Sequence, residues 1–290
     1  MTRISSILLN ILAPAALIAG TFLLIPSRQA AEEAVPPRIG RIVSLSPSIT
    51  RQVIDLESGH LICGITSQDD PPGKGWAIVG SMISPDIEKI VSLGPDVVLL
   101  SMEDNPTQPA DRLFAIGVPC VVFQRNTGYS SIRENYLRLA GLLGKVGLAR
   151  RKLHIYERKP PGRAPAGRPL KVALFVSHNP LLAATASSFI GGVIEQAGGV
   201  NIFGSGLPAY AMASVEYILM RDPDVIVSII PGSDGFFTGL FDSPRSVSAL
   251  RAGNVYTIDP GHICYYSPAD YVASVEELSS ILVKAESNGP

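Results

Sequence analysis

Short apolar runs alternate with amphipathic stretches along almost the whole chain. Arg41-Ile42-Val43-Ser44-Leu45 has the continuous hydrophobicity of a buried strand and breaks at Ser46-Pro47-Ser48, where Ser48 or Thr50 is placed to cap a helix. His60 to Thr66 reads as the next strand, followed by a polar loop through Asp69-Asp70-Pro71-Pro72-Gly73. An amphipathic segment around Glu88, a strand at Val97 to Leu100, a helix over Ala110 to Ile116 and a strand at Val118 to Phe123 complete the first half. Strands that alternate with helices predict a parallel sheet with crossover helices, one Rossmann-like lobe.

From Ser131 to about Arg158 the positions Ile132, Tyr136, Leu139, Leu143 and Val146 recur at helical spacing, and Pro160-Pro161 ends the segment. This predicts a single long connecting helix. Gly162 to Pro169 is a Pro, Gly and Arg linker, and Leu170 to Val176 opens a second run of alternating elements. It includes strands near Val225 to Ile230 and Val255 to Ile258 and a last helix from Ala269 to Lys284. The chain therefore divides into a leader at 1–37, a first lobe at 38–128, a connecting segment at 129–169 and a second lobe at 170–290. In such an α/β pair the ligand site is expected in the cleft between lobes, beyond the carboxyl ends of the strands.

One pattern occurs twice. Ile87-Glu88-Lys89-Ile90 leads to Pro95-Asp96-Val97-Val98, and Val215-Glu216-Tyr217-Ile218 leads to Pro223-Asp224-Val225-Ile226, each glutamate at the same distance before its Pro-Asp. The two lobes thus each present one carboxylate, Glu88 and Glu216, at an equivalent place. A single acid near a helix start needs no explanation beyond the helix dipole, worth ~0.3–1 kcal/mol. Two in register ask for a shared reason.

Composition narrows the class. With 290 residues, 46% hydrophobic and 17% charged, the chain has length for two cores, and its net charge of -1 offers no basic face for a nucleic acid. Arg3 followed by an apolar run from Ile4 to Ile25 reads as an export signal, which puts the protein in the periplasm. The run is long enough to serve as a retained membrane anchor, so removal and retention both stay open. Cys63, Cys120 and Cys264 are widely spaced, without the pattern of a metal site, and Cys63 and Cys120 fall in strand-like runs that favour buried free thiols. No P-loop, His-Glu-x-x-His or Gly-x-Ser-x-Gly pattern supports catalysis, and the protein is read as a binding protein.

Arg41 to Ser48, Val79-Gly80 to Leu100, Ser188-Phe189-Ile190 through Phe203 and Glu216 to Val227 together resemble the cobalamin and iron-siderophore periplasmic binding proteins of ABC importers. The likeness is nearest to the cobalamin-binding members and spans about Arg38 to Leu282. It implies two Rossmann-like lobes bridged by one helix, a noncovalently held metal chelate, and delivery to an ABC permease in the inner membrane. It also implies that Glu88 and Glu216 are the permease-docking glutamates, one per half of a two-fold symmetric partner. The protein is expected to act as a monomer with no cofactor of its own beyond a bound cobalt or iron chelate.

Around the implied cleft the chain departs from its relatives. Tyr210 keeps an aromatic position, while Met82 and Ser101 stand where tryptophans are usual, and Gln68 and Asp69 occupy a loop that often carries a tyrosine. Gly261-His262-Ile263-Cys264-Tyr265-Tyr266 restores aromatic surface, making Tyr265, Tyr266 and His262 ligand candidates beside Tyr210, Met82, Asp69 and His178. Trp76 is read first as a loop anchor. The ligand expected is a corrinoid or ferric siderophore. Haem or another tetrapyrrole, and a membrane-tethered sensor that feeds no permease, are the competing readings.

Overall fold

The computed structural model describes residues 38–69, 75–158, 166–241 and 246–288. The expected leader at 1–37, Asp70 and part of the Gly162 to Pro169 linker lie outside the described residues. No helix among the described residues is long and apolar enough to cross a membrane.

The first lobe is built on strands β1 (Ile42–Ser44), β2 (Ile62–Ile65), β3 (Ala77–Ile78), β4 (Val97–Ser101) and β5 (Cys120–Phe123). Their order is β3-β2-β1-β4-β5 and every pair is parallel. Helices α1 (Pro47–Asp55), α2 (Ile87–Ser92) and α3 (Thr107–Ala115) cover the sheet. Both faces are dry, which is why these strands are unbroken apolar runs rather than alternating ones. Ile42, Val97, Leu99 and Val121 pack to one side, and Val43, Val98, Leu100 and Cys120 to the other. Helix α1 is capped by Ser46 and not by Ser48 or Thr50: Ser46 Oγ accepts the Ile49 amide at 3.3 Å. Pro47 explains the shift, since its fixed φ and missing N–H suit the first helical position.

The second lobe holds β6 (Lys171–His178), β7 (Leu181–Ala184), β8 (Val200–Asn201), β9 (Tyr210–Met212), β10 (Val225–Ser228) and β11 (Val255–Thr257). Helices α6 (Phe189–Gln196), α7 (Val215–Arg221), α8 (Ser233–Leu240), α9 (Ser248–Arg251), α10 (Pro260–Ile263) and α11 (Pro268–Asn288) follow the connecting helices α4 (Tyr129–Leu142) and α5 (Val146–Arg158). Its main order is β11-β10-β6-β7-β9, with β8 against β6. The parallel core expected here, formed by β8, β6, β10 and β11, is extended by two antiparallel strands. Only Asn179 and Pro180 separate β6 from β7, too few for a crossover, so β7 returns antiparallel and β9 pairs antiparallel to it.

The expected single connecting helix is two. Gly144 takes φ +66 beyond the Leu143 cap, and the Lys145 amide reaches back to Ala140 O at 2.7 Å, a left-handed stop that a side chain would strain. Helix α5 folds back on α4, with Arg133 Nε 3.2 Å from Glu157 Oε1. Helix α4 enters both cores: Ile132 is part of the second lobe's core, whereas Tyr136, Leu139 and Ala140 belong to the first lobe's.

The duplicated pattern has a structural basis. Asp96 Oδ2 accepts the amides of Gly40 and Arg41 at 2.6 and 2.8 Å, just ahead of β1, and Asp224 Oδ2 accepts the amide of Lys171 at 2.8 Å, at the start of β6. The basic side chain at each strand start then holds the end of the glutamate helix. Arg41 donates to Leu93 O at 3.0 and 2.7 Å, and Lys171 Nζ donates to Arg221 O at 2.8 Å.

Candidate functional site

Two walls face each other across the lobes. In the first lobe the chain leaves β4 through Met102-Glu103-Asp104-Asn105, where the side chain of Asn105 ties the loop together. Its Nδ2 donates to Leu45 O at 2.8 Å and Met82 O at 2.9 Å, while its Oδ1 accepts the Ser101 amide at 2.8 Å. This brings Met82, a sequence candidate, and Ser101 into one loop cluster. Asp104 accepts a hydrogen bond from the Ser46 hydroxyl at the α1 N-terminus, and Glu103 lies 3.9 Å from Arg125. Burial pushes both carboxyls above their ordinary range. The charge of Asp69 raises Asp104 further, while Arg125 and the Asn126 amide partly offset the effect on Glu103.

The opposite wall is phenolic. Tyr266 and Tyr210 lie close enough that each phenol acts on the other's proton affinity, and the charges of Glu103 and Asp104 act on both. Burial is the main cause that raises the two phenols, so they stay protonated as neutral donors and acceptors. The Tyr266 ring stands edge-on to Phe189 at 4.8 Å. A cavity of about 150 Å³ opens in the first lobe among Ser101, Met102, Asn105, Thr107 and Arg125. A drug-sized ligand needs ~300–1,000 Å³, so anything larger than a substituent must be held between the walls.

The other candidates take different places. Tyr265 lies under the Arg51 guanidinium, 3.7 Å from ring centroid to Cζ, and shares a cavity of about 20 Å³ with Asp69 and Trp76. Arg51 also pairs with Asp270 Oδ1 at 2.9 Å, and the same oxygen lies 3.1 Å from His262 Nδ1. With Gln52 Nε2 donating to Tyr266 O at 2.9 Å, this forms a clasp that holds α1 of one lobe to α10 and α11 of the other. His262 and Tyr265 therefore sit in the clasp. Asp69 Oδ2 accepts the amide and hydroxyl of Thr66 at 2.9 and 2.8 Å, so it shapes its own turn while its charge reaches Asp104. His178 stacks on Phe236 at 4.0 Å, and Nε2 lies 3.2 Å from both Ser228 Oγ and Ser233 Oγ. Desolvation lowers its pKa, which favours a neutral ring tied within the second lobe.

Glu88 and Glu216 occupy the same position in α2 and α7, one residue past the first helical residue. Caps of one design precede them: Asp86 Oδ1 accepts the Lys89 amide at 2.9 Å and Ser214 Oγ the Tyr217 amide at 3.2 Å. Both glutamates are exposed, and among the described residues neither has a hydrogen bond or ion pair. Residues 42–261 match the model of the periplasmic binding protein family. The chain belongs to that family.

This binding protein is 27% identical over 194 residues to the vitamin B12-binding protein of Yersinia pestis (strain Pestoides F), a match covering 64% of this chain and 68% of that one. Its fold superposes on the periplasmic vitamin B12 binding protein BtuF of Vibrio cholerae with a TM-score of 0.71 at 20% identity, covering 86% of this chain and 98% of that one. An ABC transporter substrate-binding protein of Listeria monocytogenes EGD-e gives 0.71 at 20% identity, covering 85% and 100%. The fold is that of two-lobed binding proteins, and the family is one of solute carriers rather than enzymes.

Sequence reasoning missed Glu103, Asp104, Asn105 and Arg125. The signal was present, because Glu103, Asp104 and Asn105 follow the carboxyl end of the inner strand β4 and Arg125 that of its neighbour β5, where α/β ligand sites form.

Proposed function

We propose that this binding protein is exported to the periplasm, captures a neutral or cationic corrinoid between its lobes, and delivers it to an ABC permease through Glu88 and Glu216. The observation that carries the ligand class is the pair Glu103 and Asp104, whose charges reach the phenols of Tyr210 and Tyr266 in the other lobe. Half-buried carboxylates repel the propionates of haem and the anionic donors of catecholate or carboxylate siderophores. They tolerate a corrinoid, whose amide periphery offers donors to carboxylates and whose metal centre is neutral or positive. The two phenols supply apolar faces and hydroxyls to the same ligand.

Docking rests on two unpaired carboxylates at matched positions in two lobes, the arrangement a two-fold symmetric partner with two cationic sockets requires. Protein isolated from its own periplasm and examined by visible absorption and native mass spectrometry should carry, or take up when added, cobalamin in preference to haem. A protein that ignores cobalamin and binds haem would overturn the ligand reading. Glu88→Arg with Glu216→Arg should leave affinity for ligand unchanged and abolish uptake. Normal uptake by that double variant would return the chain to the tethered-sensor reading.

A further inference from the structure

The three most exposed large hydrophobic side chains among the described residues are Met212 at 78%, Met220 at 71% and Ile83 at 69%. All three flank the docking glutamates. Met212 ends β9 just before the Ser214 cap, Met220 lies one turn beyond Glu216, and Ile83 precedes the Asp86 cap of Glu88. The match extends into the helices. Val91 stands three residues after Glu88 at 48% exposure, and Leu219 three residues after Glu216 at 38%. Residues three apart on a helix share a face, so each glutamate has an apolar neighbour on its own side.

Lone exposed apolar residues are ordinary, but a repeated apolar rim around an unpaired charge is not. We propose that Ile83 and Val91 in the first lobe, and Met212, Leu219 and Met220 in the second, form two apolar rims that seal the glutamate contacts against the permease. This rests on the docking reading and adds its physical form. A rim that excludes water lowers the local dielectric and strengthens each carboxylate–arginine pair against salt. The occupant is therefore a membrane protein with two cationic sockets, each bordered by apolar side chains. A bare lipid surface does not fit, since the anionic headgroups of a bilayer repel two glutamates.

The test uses the full chain in its own host, with p-benzoylphenylalanine placed at 91, at 219, at 88, at 216 and, on the connecting hairpin, at the exposed Ile155. Irradiation should join positions 91 and 219 to the membrane subunit of an ABC importer, identified by mass spectrometry, in at least tenfold higher yield than position 155. Those adducts should vanish when Glu88→Arg and Glu216→Arg are added to the chains labelled at 91 and 219. Permease adducts from 88 and 216 without any from 91 and 219 would overturn the rim and leave docking standing. Adducts of 91 and 219 with a second copy of this chain or with lipid would also overturn the rim. Absence of permease adducts from all four helix positions would overturn both.

Discussion

The two lobes are alike where a partner would see them and unlike where a ligand would. Outside, Glu88 and Glu216 share a helix position, a cap and an apolar neighbour, and behind them Asp96 and Asp224 pin the same strand start. Inside, the first lobe offers carboxylates on an all-parallel sheet and the second offers phenols on a mixed one. A symmetric partner keeps two surfaces equal. An asymmetric ligand does not, and the walls are free to diverge.

The deepest difference within the shared frame lies at the two Pro-Asp residues, and it gives the largest expected effect. Asp224 is buried at 7% exposure and, besides the Lys171 amide, accepts both guanidinium nitrogens of Arg168 at 2.8 and 2.7 Å. Asp96 is only half-buried and holds amides alone. Asp224→Ala should cost about 2–3 kcal/mol in urea unfolding and Asp96→Ala about 1, as expected for hydrogen bonds to a charged group. Burial on its own would raise the Asp224 carboxyl, but Arg168 and the Lys171 amide hold it below the ordinary 3.8. The stabilisation is therefore complete above pH 3.8 and fades as pH falls through the lower folded value, so the Asp224→Ala deficit should shrink in acid. Equal deficits for the two alanine variants would mean that the lobes share more than the repeated pattern.

Most of this frame was legible in the sequence. Continuous apolar runs at Val97 to Leu100 and Leu170 to Val176 are what a doubly covered parallel sheet requires, and a repeated Glu and Pro-Asp spacing is visible without a structure. The antiparallel return at β7 was not read, because its evidence is the shortness of a two-residue link and not hydrophobicity. The α4–α5 break depends on one glycine in an otherwise helical pattern. In the cleft, Tyr210 and Tyr266 were read as candidates, but tyrosine and histidine drew attention away from Glu103 and Asp104. Acids in a polar loop look solvated until the opposite lobe closes over them. The clasp roles of Tyr265 and His262 require knowing that α1 faces α11, a contact between residues as distant as Arg51 and Asp270.

The unequal walls give the next test. With Glu103 and Asp104 intact, the cationic aquo form of cobalamin should bind more tightly than the neutral cyano form in calorimetric titration at low salt. Glu103→Gln with Asp104→Asn should weaken the aquo form by about tenfold, ~1.4 kcal/mol, and leave the cyano form nearly unchanged. A uniform loss for both forms would show that the carboxylates serve as hydrogen-bond acceptors and do not select charge.

The smallest effect separates function from stability at one residue. Burial and the charge of Asp69 raise the Asp104 carboxyl despite the Ser46 hydrogen bond, so carrying a charge there destabilises the empty protein. Asn at 104 keeps an oxygen to accept the Ser46 hydroxyl and removes the charge, so Asp104→Asn should raise the thermal midpoint at pH 7 by about 2–4 °C, the shift for ~1 kcal/mol in a chain of this size. The sign with pH follows from a raised carboxyl: below its ordinary 3.8 the folded and unfolded states are both protonated and no penalty exists. The penalty grows as pH rises through the raised folded value, and the gain from Asp104→Asn must grow with it. A variant that is more stable at pH 7, no more stable near pH 3.8 and poorer in binding aquocobalamin would show a charge held at a cost to the fold for the sake of the ligand. A variant less stable at every pH would mean instead that Asp104 is kept as the anchor of Ser46 and the α1 cap.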